Sequence, residues 1–468
     1  MRGTAGSTLR YRLNNWSAGV VAAVVLLTPV ALGGNRPAIW ALSALCLFAW
    51  GAIYFGRLGF ARAQLRATAS NYRLLAGLFW VLSAYMVVQI LPIAGLLPGS
   101  WLSLPGNADP GMRISLAPGD TALGLLRWLS YGMLFYLCLQ IGANSSRSTA
   151  FVKVLFWIVV AHAFYGLVLF FEFEDAILFT EKWAYRGVAT GGFVNRNSYA
   201  TFLAMGAVIG VVLLSHVLFA APEGVRSSRL LEILEGRNGA ILLFAGLLVI
   251  AVTLALTASR MGFAAAACGI LAVVVLTVLR KQHRLGVGAV ASGALLAAVL
   301  LACLLFLYGG NLVDRLSSIE TGANVRADLY RQVWAMIADR PLLGFGGSSF
   351  EYAFPLYHEA PVSLDKVWDK AHSTYLSLWV DYGLLLGSIP LVMVAWCLVQ
   401  LVGILKNRAS EPAAVAAVGA VVAAAVHSTV DFSLEIQGVA YLFVAVLAAG
   451  LGALARRPRD AGATFAKV

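Results

Sequence analysis

Three basic side chains lie beside apolar stretches of this sequence, in a pattern that favours chemistry on phosphates. Arg260 stands in a tight turn between two apolar stretches, Arg326 lies in a charged segment, and His372 precedes a further apolar stretch. A guanidinium group binds phosphate oxygens through two parallel hydrogen bonds and stays charged at any working pH. The unperturbed pKa of histidine suits a general base near neutral pH. These residue types predict a site that binds a diphosphate and accepts a proton.

Each of these residues also has a structural interpretation. Arg260 could anchor a helix at the lipid headgroups by extending its side chain to the interface. Arg326 could lie on the solvated face of a soluble helix, and a single histidine at the start of a helix is often structural. The placement of the residues by the surrounding elements decides between these readings.

The composition indicates the class of protein that must supply those elements. Hydrophobic residues make up 60% of the 468 residues, charged residues 12%, and the mean hydropathy is +0.82. Such a chain cannot cover a soluble surface with polar groups. We therefore expect an all-α polytopic membrane protein.

A helix needs about 20 apolar residues to cross a bilayer, and twelve stretches meet this requirement. They are 16–33, 38–55, 74–94, 122–142, 151–171, 197–220, 239–257, 261–280, 286–308, 373–405, 412–430 and 436–455. Pro390 predicts a kink or a break in the long tenth stretch. The predicted domains are transmembrane helices 1–9 with short loops (1–308), one larger loop domain (309–372), helices 10–12 (373–455) and a basic tail (456–468).

The distribution of lysine and arginine predicts the orientation. With the N-terminus inside, the inner segments hold 21 of the 34 Lys and Arg residues, and the short outer segments hold seven. The long 309–372 loop is left out because the rule does not apply to long loops. We expect both termini to be cytoplasmic and residues 309–372 to lie outside. The net charge of +12 is then mostly a topogenic signal, which argues against a nucleic-acid partner.

The outer segment contains one clear predicted helix, residues 325–339. The side chains that recur on one helical face are Tyr330, Val333, Trp334 and Ile337. Pro341 ends the helix because the residue before a proline is disfavoured in the helical region.

Four short segments carry a resemblance to a known family. They are Gly192-Phe-Val-Asn195-Arg196-Asn197, Thr257-Ala-Ser259-Arg260-Met-Gly262, Arg326 fifteen residues before Pro341-Leu-Leu-Gly-Phe-Gly346, and His372-Ser-Thr-Tyr375-Leu376. In this order the sequence resembles the O-antigen ligase and polysaccharide polymerase superfamily, whose multi-span bacterial proteins move glycans from a polyprenyl-pyrophosphate carrier to an acceptor. The first 180 residues match it only in hydropathy, and Ser373 stands where an Asn is usual.

The resemblance implies a GT-C-like fold and roles for individual residues. It implies that His372 is the base and that Arg260 and Arg326 bind the diphosphate, with Arg331 as the alternative second arginine. The predicted substrate-binding residues are Asn195, Arg196, Asn197, Arg331, Tyr330 and Asp431. The asparagines could equally cap the sixth span, and Tyr330 could pack its helix onto the membrane domain. Asp431 belongs to His427-Ser-Thr-Val-Asp431-Phe432, which resembles a stretch of polymerase-type relatives and could orient His372 or bind acceptor.

The predicted reaction needs no cofactor and no metal. The outer loops contain no Walker A motif, no HExxH motif and no Asp-x-Asp pair. We expect a metal-independent inverting glycosyltransferase of the bacterial inner membrane with a periplasmic active site. Its predicted partners are an undecaprenyl-pyrophosphate-linked glycan donor, a glycan, lipid A-core or protein acceptor, membrane lipids and a chain-length regulator.

Three classes of function compete. The stretch from His427 to Asp431 favours a polymerase of O-antigen or exopolysaccharide repeats over an O-antigen ligase or a protein O-oligosaccharyltransferase. A polysaccharide transporter or flippase would require ionisable residues near span centres and broken helices in both halves, and few charges lie mid-span. A membrane scaffold would leave Arg260 and His372 unexplained.

Overall fold

The computed structural model describes residues 2–107, 111–178, 180–219, 237–280, 312–365, 367–407 and 411–456. Within these ranges the regular structure is helical, apart from one isolated bridge between Ile177 and Thr180. The α-helices are α1 Arg2–Leu27, α2 Pro37–Phe60, α3 Arg73–Ile90, α4 Pro118–Gly142, α5 Ser145–Phe171, α6 Arg196–Phe219, α7 Arg237–Leu256, α8 Arg260–Arg280, α9 Leu312–Asp339, α10 Phe350–Ala353, α11 Thr374–Gly387, α12 Ile389–Asn407, α13 Pro412–Ser428 and α14 Gln437–Leu451.

Ten helices in the described ranges are long and apolar enough to cross a membrane. The predicted class, an all-α polytopic membrane protein, is therefore confirmed. The predicted span 286–308 lies outside the described residues. The predicted span 412–430 corresponds to α13, an apolar helix of 17 residues.

The outer loops predicted from the charge distribution meet at one end of the helix bundle. The Gly33 amide donates to the Gly192 carbonyl at 2.8 Å, and the Ala189 amide donates to the Leu256 carbonyl at 2.8 Å. The Thr374 amide donates to the Asp431 carbonyl at 3.2 Å. We call this end the loop end. Arg456, the first residue of the predicted tail, lies elsewhere: it is buried, with its guanidinium 2.5 Å from Glu411 and bonded to the Gly142 carbonyl.

Small residues allow the central helices to pack closely. Helix α13 is almost entirely alanine, valine and glycine, and it packs against α6, α8 and α14. A Cβ atom added at Gly269 of α8 would lie 2.8 Å from the Gly419 carbonyl oxygen of α13. Small side chains at such crossings are typical of helices that pack inside a membrane.

Helix α9 is longer than predicted but ends at the predicted residue. It begins at Leu312 and ends at Asp339, two residues before Pro341. Val333 and Ile337 are buried as the pattern predicts. Trp334 differs, because it lies at the edge of the buried face, is 48% exposed, and has its ring centroid 5.6 Å from that of Trp379 in α11.

The long tenth stretch is broken, as Pro390 suggested, but the break lies before the proline. Gly383 has φ +75° and ψ 169°, and α11 and α12 meet at Ser388. The break leaves carbonyl groups without hydrogen-bond donors from the helix, and the loop after α9 supplies amide donors in their place. The amides of Phe345 and Gly346 donate to the carbonyls of Val380 and Asp381 at 2.8 and 3.0 Å.

Two glycines make this docking of loop on helix possible. A Cβ atom at Gly344 would lie 2.6 Å from the carbonyl oxygens of Val380 and Asp381, and one at Gly383 would lie 2.4 Å from that of Leu342. Both glycines have positive φ angles, which other residues rarely adopt. The Pro-Leu-Leu-Gly-Phe-Gly turn is therefore a backbone clamp on the broken helix.

Arg340 fixes the 91–117 loop to the same region. Its guanidinium is 1% exposed and donates to the carbonyls of Leu102, Ser103 and Ile114 at 2.5, 3.1 and 3.3 Å. Burial lowers the pKa of Arg340 to about 10, so it stays charged at neutral pH. The hydrogen bonds of Arg340 go to main-chain carbonyl oxygens, so its role is to stabilise the fold.

Candidate active site at the loop end of the bundle

Five elements bring the predicted site residues to the loop end. Asn195 and Asn197 lie at the start of α6, Arg260 begins α8, and Arg326 lies on α9. His372 lies just before α11, and Asp431 lies between α13 and α14. Residues far apart in the sequence are thus collected at one face of the bundle.

Asn197 links three of these elements. Its side-chain amide donates to Asp431 Oδ1 at 3.3 Å, and its Oδ1 accepts from the Ser259 hydroxyl at 2.9 Å. Asn195 Oδ1 accepts a hydrogen bond from the main-chain amide of Asn197 at 2.7 Å. This is the helix-capping contact that the sequence suggested. The two asparagines therefore have different tasks, because Asn195 caps α6 and Asn197 bridges α8 and the Asp431 loop.

Asp431 is fully buried at the centre of this network. Ser433 donates to its Oδ2, and the amide and hydroxyl of Thr374 donate to its carbonyl at 3.2 and 3.3 Å. Burial raises the pKa of Asp431 to about 6, while the hydrogen bonds from Ser433 and Asn197 and the charge of Arg326 act in the opposite direction. Among the described residues the Asp431 carboxylate is hydrogen-bonded to Asn197 and Ser433 and not to the His372 ring, so the structure does not bring the two together as an orienting pair.

His372 has a left-handed backbone, with φ +53°. Its half-buried ring lies edge to face between Trp368 and Phe432, with ring centroids 5.6 and 5.1 Å away. Burial and, as a smaller cause, the positive charge of Arg326 together lower the pKa of His372 from 6.5 to about 4, while Asp369 acts in the opposite direction. The imidazole is therefore unprotonated at neutral pH and able to accept a proton.

The neighbours of His372 hold its main chain rather than its ring. The Tyr330 hydroxyl donates to the His372 carbonyl at 2.8 Å and lies 3.3 Å from that of Thr429. Ser373, at the position where relatives usually have Asn, donates to the Ser428 carbonyl at 3.2 Å. Tyr330 therefore packs α9 onto the membrane helices, which was one of its two predicted roles.

Arg326 is the charge that these groups share. It lowers the pKa of His372, and it opposes the rise in the pKa of both Asp431 and Tyr330 caused by burial. The position of Arg326 near these groups follows from helical spacing. Tyr330 and Val333 come four and seven residues after Arg326, so they lie on the same face of α9. This spacing could have distinguished Arg326 from Arg331 at the sequence level.

Arg331 is placed elsewhere. It is 75% exposed and pairs with Asp328, three residues earlier on α9, at 3.1 Å. The structure does not bring this arginine to the group around His372.

Arg260 and Arg196 lie at the starts of two neighbouring helices. The Ser259 hydroxyl caps α8 by accepting from the Gly262 amide at 3.2 Å, and this cap places the exposed Arg260 on the loop end. The guanidinium of Arg196 lies 5.7 Å from the ring centroid of Tyr185, and its Nε is buried. Burial raises the pKa of Tyr185, to which Asp431 also contributes.

Sequence reasoning missed several partners of the network. Thr201 Oγ1 contacts His427 Nδ1 and donates to Ser433 at 2.7 Å. Lys370 pairs with Glu435 at 3.2 Å. The signal was present in part, because His427 and Asp431 belong to one quoted stretch and Ser433 and Glu435 follow it directly.

No group of three or more His, Cys, Asp or Glu side chains is placed to hold a metal ion within the ranges that the structure describes. The polar side chains around His372 are instead arginine, tyrosine, asparagine and serine, together with the carboxylates of Asp369 and Asp431. Such groups bind anions and hydroxyls through hydrogen bonds. Independence from metal ions stays a prediction that the EDTA experiment below checks.

The fold and this face define a multi-pass membrane protein with a polar site built from the loops at one end of its helix bundle. Residues 245–391, just under a third of the chain, match the family model described as O-antigen ligase. The matched region contains Arg260, Arg326 and His372, and the match supports the resemblance to the O-antigen ligase and polymerase superfamily. No curated protein matches the chain.

Proposed function

We propose that this protein transfers an oligosaccharide from undecaprenyl pyrophosphate to an acceptor hydroxyl on the periplasmic face of the inner membrane. The observation that carries the proposal is the position of Arg326 relative to His372 and Asp431. Arg326 can bind an anion, and its charge lowers the pKa of both His372 and Asp431, the two side chains that can exchange a proton. The match to the O-antigen ligase model supports the same chemistry. Within this reaction class we propose polymerisation of O-antigen or exopolysaccharide repeats.

Arg260 and Arg326 bind the diphosphate of the donor. In the transition state the bond between the anomeric carbon and the diphosphate oxygen breaks, and negative charge accumulates on the departing group. Guanidinium groups positioned around this charge stabilise it more strongly than they stabilise the ground state. The exposure of Arg260 and the position of Arg326 next to His372 support these roles.

His372 accepts the proton of the attacking hydroxyl. As the acceptor oxygen bonds to the anomeric carbon from the face opposite the diphosphate, the proton passes to the imidazole, and the configuration inverts. With a pKa of about 4, the free enzyme holds this imidazole in the base form but as a weak base. A bound diphosphate offsets the charge of Arg326 and so raises the pKa of His372, which makes the base stronger when substrate is present.

Asn197 and Asp431 bind sugar hydroxyls near the reacting carbon. Asn197 is held by Ser259 and Asp431 in a fixed orientation, and Asp431, which is buried and accepts from Asn197 and Ser433, contributes through this network. Asn195 and Arg196 lie beside them at the start of α6. Arg331 is left as the alternative second arginine, and its exposed pair with Asp328 argues for Arg326.

The acceptor is tested by incubating the purified protein in lipid nanodiscs with lipid-linked repeat units alone, and then with added lipid A-core. A polymerase lengthens the lipid-linked glycan in the first reaction. A ligase gives a product only in the second, and a protein O-oligosaccharyltransferase requires a protein acceptor. His372→Ala serves as the inactive control, and the absence of product with all three acceptors would reject the transferase proposal.

A further inference from the structure

A long cavity of about 720 Å³ lies between α3 and α4 and the helices α11, α12 and α14, and neither His372 nor the arginines of the candidate site line it. Its lining runs from Tyr72 and Leu447 to Ser348 and Lys370 at the loop end. The wall between these ends is apolar, with side chains such as Phe79 and Leu129. A cavity of this length and lining fits a single extended hydrocarbon chain.

The loop end of the cavity carries polar atoms that the fold leaves unused. Ser377 Oγ, Asp381 Oδ1 and Glu435 Oε1 belong to lining residues, are buried, and have no hydrogen-bond partner in the part of the chain that the structure describes. Leaving a buried polar atom unsatisfied costs about 1–3 kcal/mol. Three such atoms on one wall indicate a ligand that donates hydrogen bonds.

The nearby cations already have partners. Lys370 pairs with Glu435 Oε2 at 3.2 Å. Arg127 donates to Gln437 and to Tyr131, both at 3.1 Å, and lies over the Trp40 ring. Both cations are thus engaged with protein groups, and the atoms without partners are a hydroxyl oxygen and two carboxylate oxygens, which favours a ligand with hydroxyl groups over a phosphate.

We propose that this cavity binds a neutral glycolipid, with one hydrocarbon chain along α3 and α4 and sugar hydroxyls donating to Ser377, Asp381 and Glu435. The bound head group contacts the wall that includes Lys370 and Thr374, each two residues from His372. This site differs from the arginine site in chemistry, because it selects hydroxyls where the arginines select phosphates. The proposal does not depend on the transfer reaction.

The test uses two photoreactive probes with the same octadecyl chain and mid-chain diazirine, one a β-glucoside and one a phosphate. The full-length protein is held in nanodiscs of phosphatidylethanolamine and phosphatidylglycerol, and labelled peptides are identified by mass spectrometry. The glucoside should label the α3 and α4 wall, excess unreactive octadecyl glucoside should remove the label, and the phosphate should label this wall far less. Equal labelling by the two probes would overturn the proposal.

Variants separate the chain site from the head-group site. Ala76→Trp fills the cavity and should remove the label, whereas Leu74→Trp, on the 48% exposed face of the same helix, should not. Glu435→Gln should weaken glucoside labelling about tenfold, the equivalent of one hydrogen bond to a charged group, and should increase phosphate labelling because Lys370 loses its partner. Equal labelling of the two tryptophan variants, or a Glu435→Gln protein with unchanged probe selectivity, would refute the assignment.

Discussion

Replacing Arg326 with glutamine should raise the pKa of His372, and this change can be measured without any catalytic assay. The pKa of His372 falls from 6.5 to about 4, with burial as the larger cause and the charge of Arg326 as the smaller. Removing the charge of Arg326 takes away the smaller of these two causes, so the pKa of His372 in Arg326→Gln should lie above the wild-type value and below 6.5.

The measurement is the pH dependence of the reaction of His372 with diethyl pyrocarbonate, followed on the peptide that contains it by mass spectrometry. Only the unprotonated imidazole reacts, so the midpoint of the rate profile reports the pKa. Arg331→Gln is the matched control, because it removes an exposed arginine from the same helix and should leave the midpoint unchanged. Adding undecaprenyl pyrophosphate to the wild type should raise the midpoint, because the diphosphate offsets the charge of Arg326.

Two results would refute this reasoning. A wild-type midpoint near 6.5 would mean that neither burial nor Arg326 acts on the ring. Equal shifts in Arg326→Gln and Arg331→Gln would mean that the helix contributes only a general positive field. Either result would remove the electrostatic link between the arginine and the base.

The remaining predictions concern activity and orientation. His372→Ala should lower the transfer rate by about 10²–10⁴-fold while leaving donor binding and expression nearly intact, and a variant that keeps more than a tenth of the turnover would exclude the base role. Arg260→Lys and Arg326→Lys should each fail to restore transfer, because an ammonium group cannot bind two phosphate oxygens in a planar fork; EDTA should not inhibit, and inhibition that Mg²⁺ reverses would contradict the arginine mechanism. A cysteine at Glu359 should react with an impermeant thiol reagent added from the periplasmic side, whereas one at Arg62 should not, and the reverse labelling would invert the proposed orientation.

Hydropathy and helical periodicity were sufficient to predict the class of fold and the end of α9. Apolar length predicted the membrane helices because each span satisfies its own backbone, so the signal is local. The pattern around Val333 and Ile337 predicted a buried face for the same reason. The position of Trp334 could not be read from the pattern, since spacing defines a face but not where its edge lies against a neighbouring helix.

The site was predictable only as a set of residues. The family motifs named Arg260, Arg326 and His372, but the contact of Asn197 with Asp431 joins residues 234 positions apart. A pattern in a short stretch of sequence cannot reveal a contact between residues so far apart in the chain. A break in this stretch was predicted from Pro390, but its position at Gly383 was not, because the loop that binds there lies about forty residues earlier in the chain.

The clamp of the Pro-Leu-Leu-Gly-Phe-Gly turn on this break has a consequence for biogenesis. The carbonyls of Val380 and Asp381 receive their hydrogen bonds from Phe345 and Gly346, and lipid offers no donors to replace them. The Gln89 side chain also donates to the Asp381 carbonyl, at 2.9 Å. We therefore expect the span formed by α11 and α12 to reach its final form only when the segment between α9 and α11 has folded against it, so that insertion of this span and assembly of the candidate site depend on the same contacts.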